Sequence, residues 1–362
     1  MSLAQQIDSL IHDAIERRIF PGAAVLVARA GVIRHHAAYG TTMYDAGGSR
    51  PATTDTIYDV ASLTKVFTAT AALQLIEQGS LDLQAPVAAY LPEVCTSDVR
   101  VIHLLTHTSG LDIRLSALRD GGRDGVLAAV YSAVPVHPPG TVVAYTNVNS
   151  LLLGAIVERI RGEPLDSAMR SCLFDPLGLR DTGFLPPAAL LPRIAPTEID
   201  EEWRGGLVHG SVHDESAHAL GGIAGHAGLF STTEDLLVFC QSWLEAILDV
   251  GFWIVDDKAK IQHPKSRILG LEIAKLATSN HTAGLAFACG LGWMLDRANF
   301  MGHAPQGSFG HTGFTGPALV VVPREQLIVV VLSNRVYPRR RPPPYLHHAV
   351  TAAIVEAALP YR

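Results

Sequence analysis

Ser62 and Lys65 lie three residues apart in the stretch Asp59-Val60-Ala61-Ser62-Leu63-Thr64-Lys65-Val66-Phe67-Thr68-Ala69. On a helix that spacing puts both side chains on one face. A serine hydroxyl is a weak nucleophile at neutral pH. A lysine amine desolvated among apolar neighbours can lose its proton and serve as the base that activates it. The chemistry on offer is nucleophilic attack on a carbonyl with lysine as proton acceptor. An S-x-x-K tetrad also fits an ordinary helix start, so the pair needs companions before it means anything.

Two companions follow in order: Tyr145-Thr146-Asn147, just after Pro138-Pro139-Gly140-Thr141, and His311-Thr312-Gly313, read as the edge of a strand. No Gly-x-Ser-x-Gly surrounds any serine, which removes the strand-to-helix elbow of α/β-hydrolases and leaves Ser62 without a rival nucleophile. The histidines raise a metal alternative. His209, His213, Asp214, His218 and His226 fall within eighteen positions, but without an H-E-x-x-H helix or regular ligand spacing, so no metal is expected. His103 and His107 stand four apart, yet His107-Thr108-Ser109-Gly110 reads as a helix end whose polar side chains satisfy backbone groups.

The elements that must hold these residues are legible from periodicity. Residues 3–17 carry an amphipathic helix, followed by strands at Ala23–Arg29 and Val32–Arg34 joined through Ala30-Gly31. From Ser62 onward helical spacing dominates, over 62–78, 101–106, 123–132, 149–161, 165–173 and 234–248. The pattern returns to strands at 290–295, 318–322 and 327–332, the last two joined by a turn at Pro323-Arg324-Glu325-Gln326, and ends in a helix over 345–359. The run Arg339-Arg340-Arg341 reads as a solvated loop, and residues 250–284 show no clear period. Strands at both ends with helices between imply one sheet built from both termini, with the helical part inserted into it.

At 362 residues, 48% hydrophobic and 17% charged, the chain is long and apolar enough for a large folded core. A net charge of −6 offers no basic face to nucleic acid or anionic lipid. The start runs straight into the amphipathic pattern of Ile7, Leu10, Ile11, Ala14 and Ile15 rather than a basic segment and an apolar core, so a cytoplasmic location is expected. No run approaches the roughly 18 apolar residues of a membrane span. The four cysteines lack a C-x-x-C pair and read as reduced core residues.

In motif order the chain resembles the serine β-lactamase and penicillin-recognising superfamily, in its class C-like branch of carboxylesterases, D-amino-acid peptidases and amide hydrolases. The blocks that carry the resemblance are Ser62-x-x-Lys65, Leu104 to Leu111, Pro139-Gly140-Thr141 leading to Tyr145, Pro176 to Leu179, Gly225 to Ser231, and Gly310 to Gly316.

The resemblance implies an α+β, β-lactamase/transpeptidase-like fold: a sheet domain from residues 1–58 and 285–362, and a mainly helical domain over 59–284. It implies that Ser62 forms an acyl-enzyme, that Lys65 and Tyr145 together take and return its proton, and that Asn147 orients Lys65 and the substrate. The backbone amides of Ser62 and Phe314 would form the oxyanion hole, with Thr312 beside them and Gly313 allowing close backbone approach. Asp214, His218 and His226 would order a loop at the cleft rim.

His311 replaces the lysine of a K-T-G motif, and a histidine is mostly neutral at pH 7, which favours neutral esters or amides over carboxylate-bearing β-lactams. The expected activity is therefore hydrolysis of small esters or amides, without a cofactor. The alternatives are a β-lactamase or D,D-peptidase on cell-wall-type substrates, and a non-catalytic protein that uses the cleft for binding.

Overall fold

The computed structural model describes residues 1–44, 47–249 and 268–359. Its centre is a six-stranded antiparallel sheet in the spatial order Val32–Gly40, Gly22–Arg29, Leu327–Ser333, Ala318–Val322, Phe309–Thr312, Met294–Leu295. The N-terminal hairpin thus joins the C-terminal strands, with Ala23 opposite Ser333 and Arg29 opposite Leu327. The first strand is buried on both faces, because both faces are covered, and this is why its sequence reads as a continuous apolar run rather than an alternation.

Alternate residues feed two cores. Ala23, Val25 and Val27 pack with Ile7, Ile11 and Ala14 of the Leu3–Glu16 helix and with Ile354 and Val355 of the Leu346–Ala358 helix. Ala24, Leu26 and Ala28 face the larger core on the other side. The Leu3–Glu16 helix has the i, i+4, i+7 spacing that this burial demands, and opens on a capping box in which Ser2 accepts from Gln5.

Most elements stand where periodicity puts them, with three differences. The second strand runs on to Gly40 because it pairs with the whole of the first, although its outer half is less apolar. Only Met294–Leu295 of the 290–295 run is a strand. It pairs with Gly310 and Phe309 alone, so the Phe309–Thr312 strand is second from the edge, and its last two residues project past that short neighbour. The Thr233–Leu248 helix, sequentially part of the inserted helical stretch, packs on the sheet strands Gly22–Arg29 and Leu327–Ser333.

Within the aperiodic 250–284 stretch, Leu271–Ala277 is a helix and 250–267 lie outside the described residues. The 339–341 run is exposed, as expected, but Arg340 is also anchored: its guanidinium bonds Glu198 at 2.8 Å through Nε and Glu215 at 2.6 Å through Nη1. None of the described helices is long and apolar enough to cross a membrane.

A smaller three-stranded sheet does the positioning. Tyr58–Asp59 pairs with Leu229–Ser231, which pairs in turn with Gly183–Phe184. This brings the 225–231 block, far away in sequence, alongside the turn that carries Ser62.

Candidate active site

Ser62 sits in a short 3-10 turn, Ala61–Leu63, that leads into the Thr64–Glu77 helix. The preceding Ala61 is held at φ 47°, a left-handed conformation that costs a non-glycine residue energy and persists only where the surroundings enforce it. Asp59 is the enforcer: one carboxylate oxygen accepts the Ala61 amide at 2.8 Å and the other the His213 amide at 2.7 Å. The Asp59 carbonyl accepts the Thr315 hydroxyl at 2.7 Å, which ties the turn to the loop after His311. Burial raises the Asp59 carboxyl despite these bonds.

One turn along the helix, Lys65 is 2% exposed. Its Nζ donates to Ser62 Oγ at 2.8 Å and to the His226 carbonyl at 3.0 Å. Burial lowers the ammonium from 10.5 to about 7, against the opposing pull of Asp214. A lysine with that value is neutral in a large fraction of molecules at physiological pH, as a general base requires.

The Tyr145 hydroxyl interacts with the Ser62 side chain, and the Lys65 ammonium lies 5.1 Å from the Tyr145 ring centroid. Although Tyr145 is 46% exposed as a residue, its hydroxyl end faces inward on the nucleophile. Desolvation raises the phenol, the Ser62 bond offsets only part of this, and the charge of Asp214 adds a smaller push upward. A raised phenol resists losing its proton outright. Of the two groups beside Ser62, Lys65 is thus the one whose value lies near neutral pH.

Asn147 opens the Asn147–Arg161 helix, and its amide donates to Asp214 Oδ2 at 3.4 Å, with no direct bond to Lys65. Asp214 caps the Glu215–Ala219 helix and collects the Ala217 amide at 2.9 Å, the Ser216 hydroxyl at 2.6 Å and His226 Nε2 at 3.1 Å on Oδ1. Burial alone would raise its carboxyl, but His226 and these bonds outweigh that and hold it well below the usual carboxylate range. It thus supplies a fixed negative charge whose field reaches both Lys65 and Tyr145.

Asp214 and His226 consequently lie behind the lysine and not on the cleft rim. The other histidines part company. His209 ties down the carbonyls of Leu191 and Ile194, His213 pairs with Glu198 and stacks on Phe314, and His218 packs edge-on to Trp203.

His311 closes the site from the sheet. Its Nδ1–H donates to the Thr312 carbonyl at 2.9 Å, and its ring is 5.9 Å from that of Tyr145. Burial, with the nearby Lys65 charge, lowers His311 to about 3, so the position that carries lysine in K-T-G is electrically neutral here. Gly313 follows at a point of close approach: a Cβ there would stand 2.6 Å from the Val60 carbonyl oxygen. Beyond it, Phe314 packs between His213 and the Arg335 guanidinium, which lies 4.6 Å over its ring, and its carbonyl accepts Arg335 Nε at 2.8 Å.

The places of four residues in the site were not legible in the sequence. His107 is at φ 55°, stacked 4.7 Å from Tyr145 and bonded to Asn149. Burial first, then Lys65 and His311, lowers it to about 3. Its helix-end position was legible, but its place in the cleft wall was not. Asp59 and Asp214 act through backbone amides and through space, and His226 meets Lys65 through its carbonyl, an atom every residue has. Beside them lies a cavity of about 620 Å³, walled by His107, Tyr145, His311 and Thr312 together with Phe287, Cys289, Trp293 and Arg297.

A serine on a strained turn with a desolvated lysine one helical turn on, between an antiparallel sheet and a helical layer, defines a serine hydrolase of the β-lactamase type. The chain belongs to the β-lactamase family, whose model it matches over residues 7–352. It is 31% identical to N-acetylmuramyl-L-alanine amidase of Bacillus subtilis strain 168, over 90% of this chain and 80% of the amidase. It is 30% identical to an Escherichia coli K12 protein named as a candidate D-alanyl-D-alanine carboxypeptidase, over 87% and 79% of the two chains.

Among solved structures it superposes on a class C β-lactamase with TM-score 0.74 at 21% identity, covering 98% and 97% of the two chains. It superposes on EstCE1, a hydrolase with promiscuous acyltransferase activity, with TM-score 0.73 at 22% identity, covering 97% and 98%. At such identities the likeness is one of fold.

Proposed function

We propose that this protein hydrolyses small esters or amides through an acyl-enzyme on Ser62. The observation that carries the reading is the 2.8 Å contact between Ser62 Oγ and a Lys65 amine lowered to about 7 by burial. Neutral Lys65 takes the Ser62 proton as Oγ attacks the carbonyl carbon. The Tyr145 phenol, also beside Ser62, relays a proton from Lys65 to the departing oxygen or nitrogen. Water then attacks the acyl carbonyl, giving its proton to the same lysine, which returns it to Oγ as Ser62 is released.

The Phe314 amide, free of any protein partner among the described residues, and the Ser62 amide are the proposed oxyanion donors, each worth about 100-fold or more in rate. Asp59 and Gly313 position them, since one fixes the turn and the other permits its approach to the strand.

Neutral His311 supports esters and amides that carry no carboxylate beside the scissile bond. The second reading, a D,D-peptidase or amidase on cell-wall-type substrates, draws on the two curated relatives. The deciding measurement is the initial rate on p-nitrophenyl butyrate at pH 7.5 with the Ser62→Ala protein as blank, alongside an acyl-D-alanyl-D-alanine peptide and penicillin G. A Ser62-dependent rate on the ester above that on penicillin G is expected. Turnover confined to the peptide or the lactam would replace the first reading with the second.

A further inference from the structure

We infer that Arg297 makes the cavity beside the catalytic residues a subsite for a carboxylate, set away from the scissile bond, on the substrate. The inference rests on the ester or amide hydrolase reading and specifies its substrate class. Arg297 lines the same cavity as Tyr145, His311 and Thr312. Its guanidinium lies 4.4 Å over the Phe287 ring, and its closest polar contact is a long one, Nη2 to Cys289 Sγ at 3.6 Å. Burial raises the Cys289 thiol, so the sulfur is neutral and no counter-ion.

Among the described residues no carboxylate pairs with Arg297. Neighbouring Asp296 is turned to the Gly307 amide, 2.9 Å away, and the buried Nε of Arg297 has no hydrogen-bond partner at all. A guanidinium carries a fixed charge and five donors in a planar fork. Leaving it unpaired in an apolar wall is costly unless a ligand completes it.

The rest of the wall supplies no competing cation, since burial holds His107 and His311 at about 3 and His348 at about 4. Phe287, Ala288, Trp293 and Leu295 line the approach, a surface suited to methylenes between the reacting carbonyl and a terminal carboxylate. Half-esters of dicarboxylic acids and esters with an acidic leaving group share this chemistry. They differ only in which side of the scissile bond enters the cavity.

The test is calorimetric binding to the Ser62→Ala protein, which reports the subsite whether or not turnover occurs. Monophenyl glutarate is compared with phenyl valerate for the acyl side, and 4-carboxyphenyl butyrate with 4-acetylphenyl butyrate for the leaving-group side. One carboxylate ester should bind at least about tenfold tighter than its neutral partner. That ratio should fall to near one in Arg297→Gln and survive in part in Arg297→Lys, which keeps the charge but loses the fork.

Equal affinity within both pairs, or a preference untouched by Arg297→Gln, overturns the inference. Should Arg297→Gln not fold, the two pairs in the Ser62→Ala background and the loss of the preference at high salt decide the matter. A carboxylate preference in binding, with no Ser62-dependent hydrolysis of any of the four esters, would leave the subsite standing and remove the hydrolase reading instead.

Discussion

The pH dependence of turnover follows from one number in the structure. Lys65 must be neutral to accept the Ser62 proton, and burial sets its value at about 7. The neutral fraction is then about 9% at pH 6, about half at pH 7 and about 90% at pH 8, so kcat/KM should rise about tenfold from pH 6 to pH 8 and then level. The two cleft-wall histidines titrate well below that limb. His107 and His311 lie at about 3, and the raised Tyr145 phenol keeps a falling limb away from pH 8–9.

The Asp214 charge opposes the drop in Lys65. Asp214→Asn should therefore lower the lysine further and move the limb to lower pH. The assay is kcat/KM on p-nitrophenyl butyrate at constant ionic strength from pH 5.5 to 9, corrected with the Ser62→Ala blank at each pH. A flat profile across pH 6–8, or a limb that moves upward in Asp214→Asn, would refute the assignment of Lys65 as base.

Three further outcomes follow from the same geometry. Lys65→Met should abolish activity yet stabilise the fold. The fall from 10.5 to about 7 amounts to a penalty of about 4 to 5 kcal/mol, partly offset by the bond lost to the His226 carbonyl, so a net gain of about 1–3 kcal/mol is expected in denaturant titrations. Because the folded value lies below the unfolded one, the unfolded chain holds the extra proton between about pH 7 and 10.5. The gain should be full below pH 7 and vanish by about pH 10.5. Gly313→Ala puts a Cβ 2.6 Å from the Val60 carbonyl oxygen, displaces the Phe314 amide, and should cost about 100-fold in kcat with little change in KM, as steady-state kinetics would report. Arg340→Ala leaves Glu198, 8% exposed on its side chain, with His213 and the residue-340 backbone amide, and should destabilise by about 1–2 kcal/mol in chemical denaturation.

The sequence by itself determined what depends on local spacing and on residue type. Ser62 and Lys65 had to share a helix face because the intervening residues form a helix. Ile7, Ile11 and Ala14 had to be buried as a stripe, and the unbroken Val320–Val322 and Leu327–Leu332 runs had to become strands covered on both faces. The order of the Ser62, Tyr145 and His311 blocks was likewise enough for the family.

Tertiary structure decided everything carried by backbone atoms and by fields. Lys65 is lowered because the packed core removes its water, which no tetrad encodes. Asp59 strains the Ala61 turn by holding the amides of Ala61 and His213, two groups 152 positions apart in the chain. The lysine's second partner is the His226 carbonyl, for which any residue would serve. The surroundings of Asn147 and Tyr145 are of the same kind: the first meets Asp214, and desolvation raises the phenol of the second. Arg297 drew no notice as a lone arginine after a strand, because an unpaired charge is visible only once every neighbour is in place.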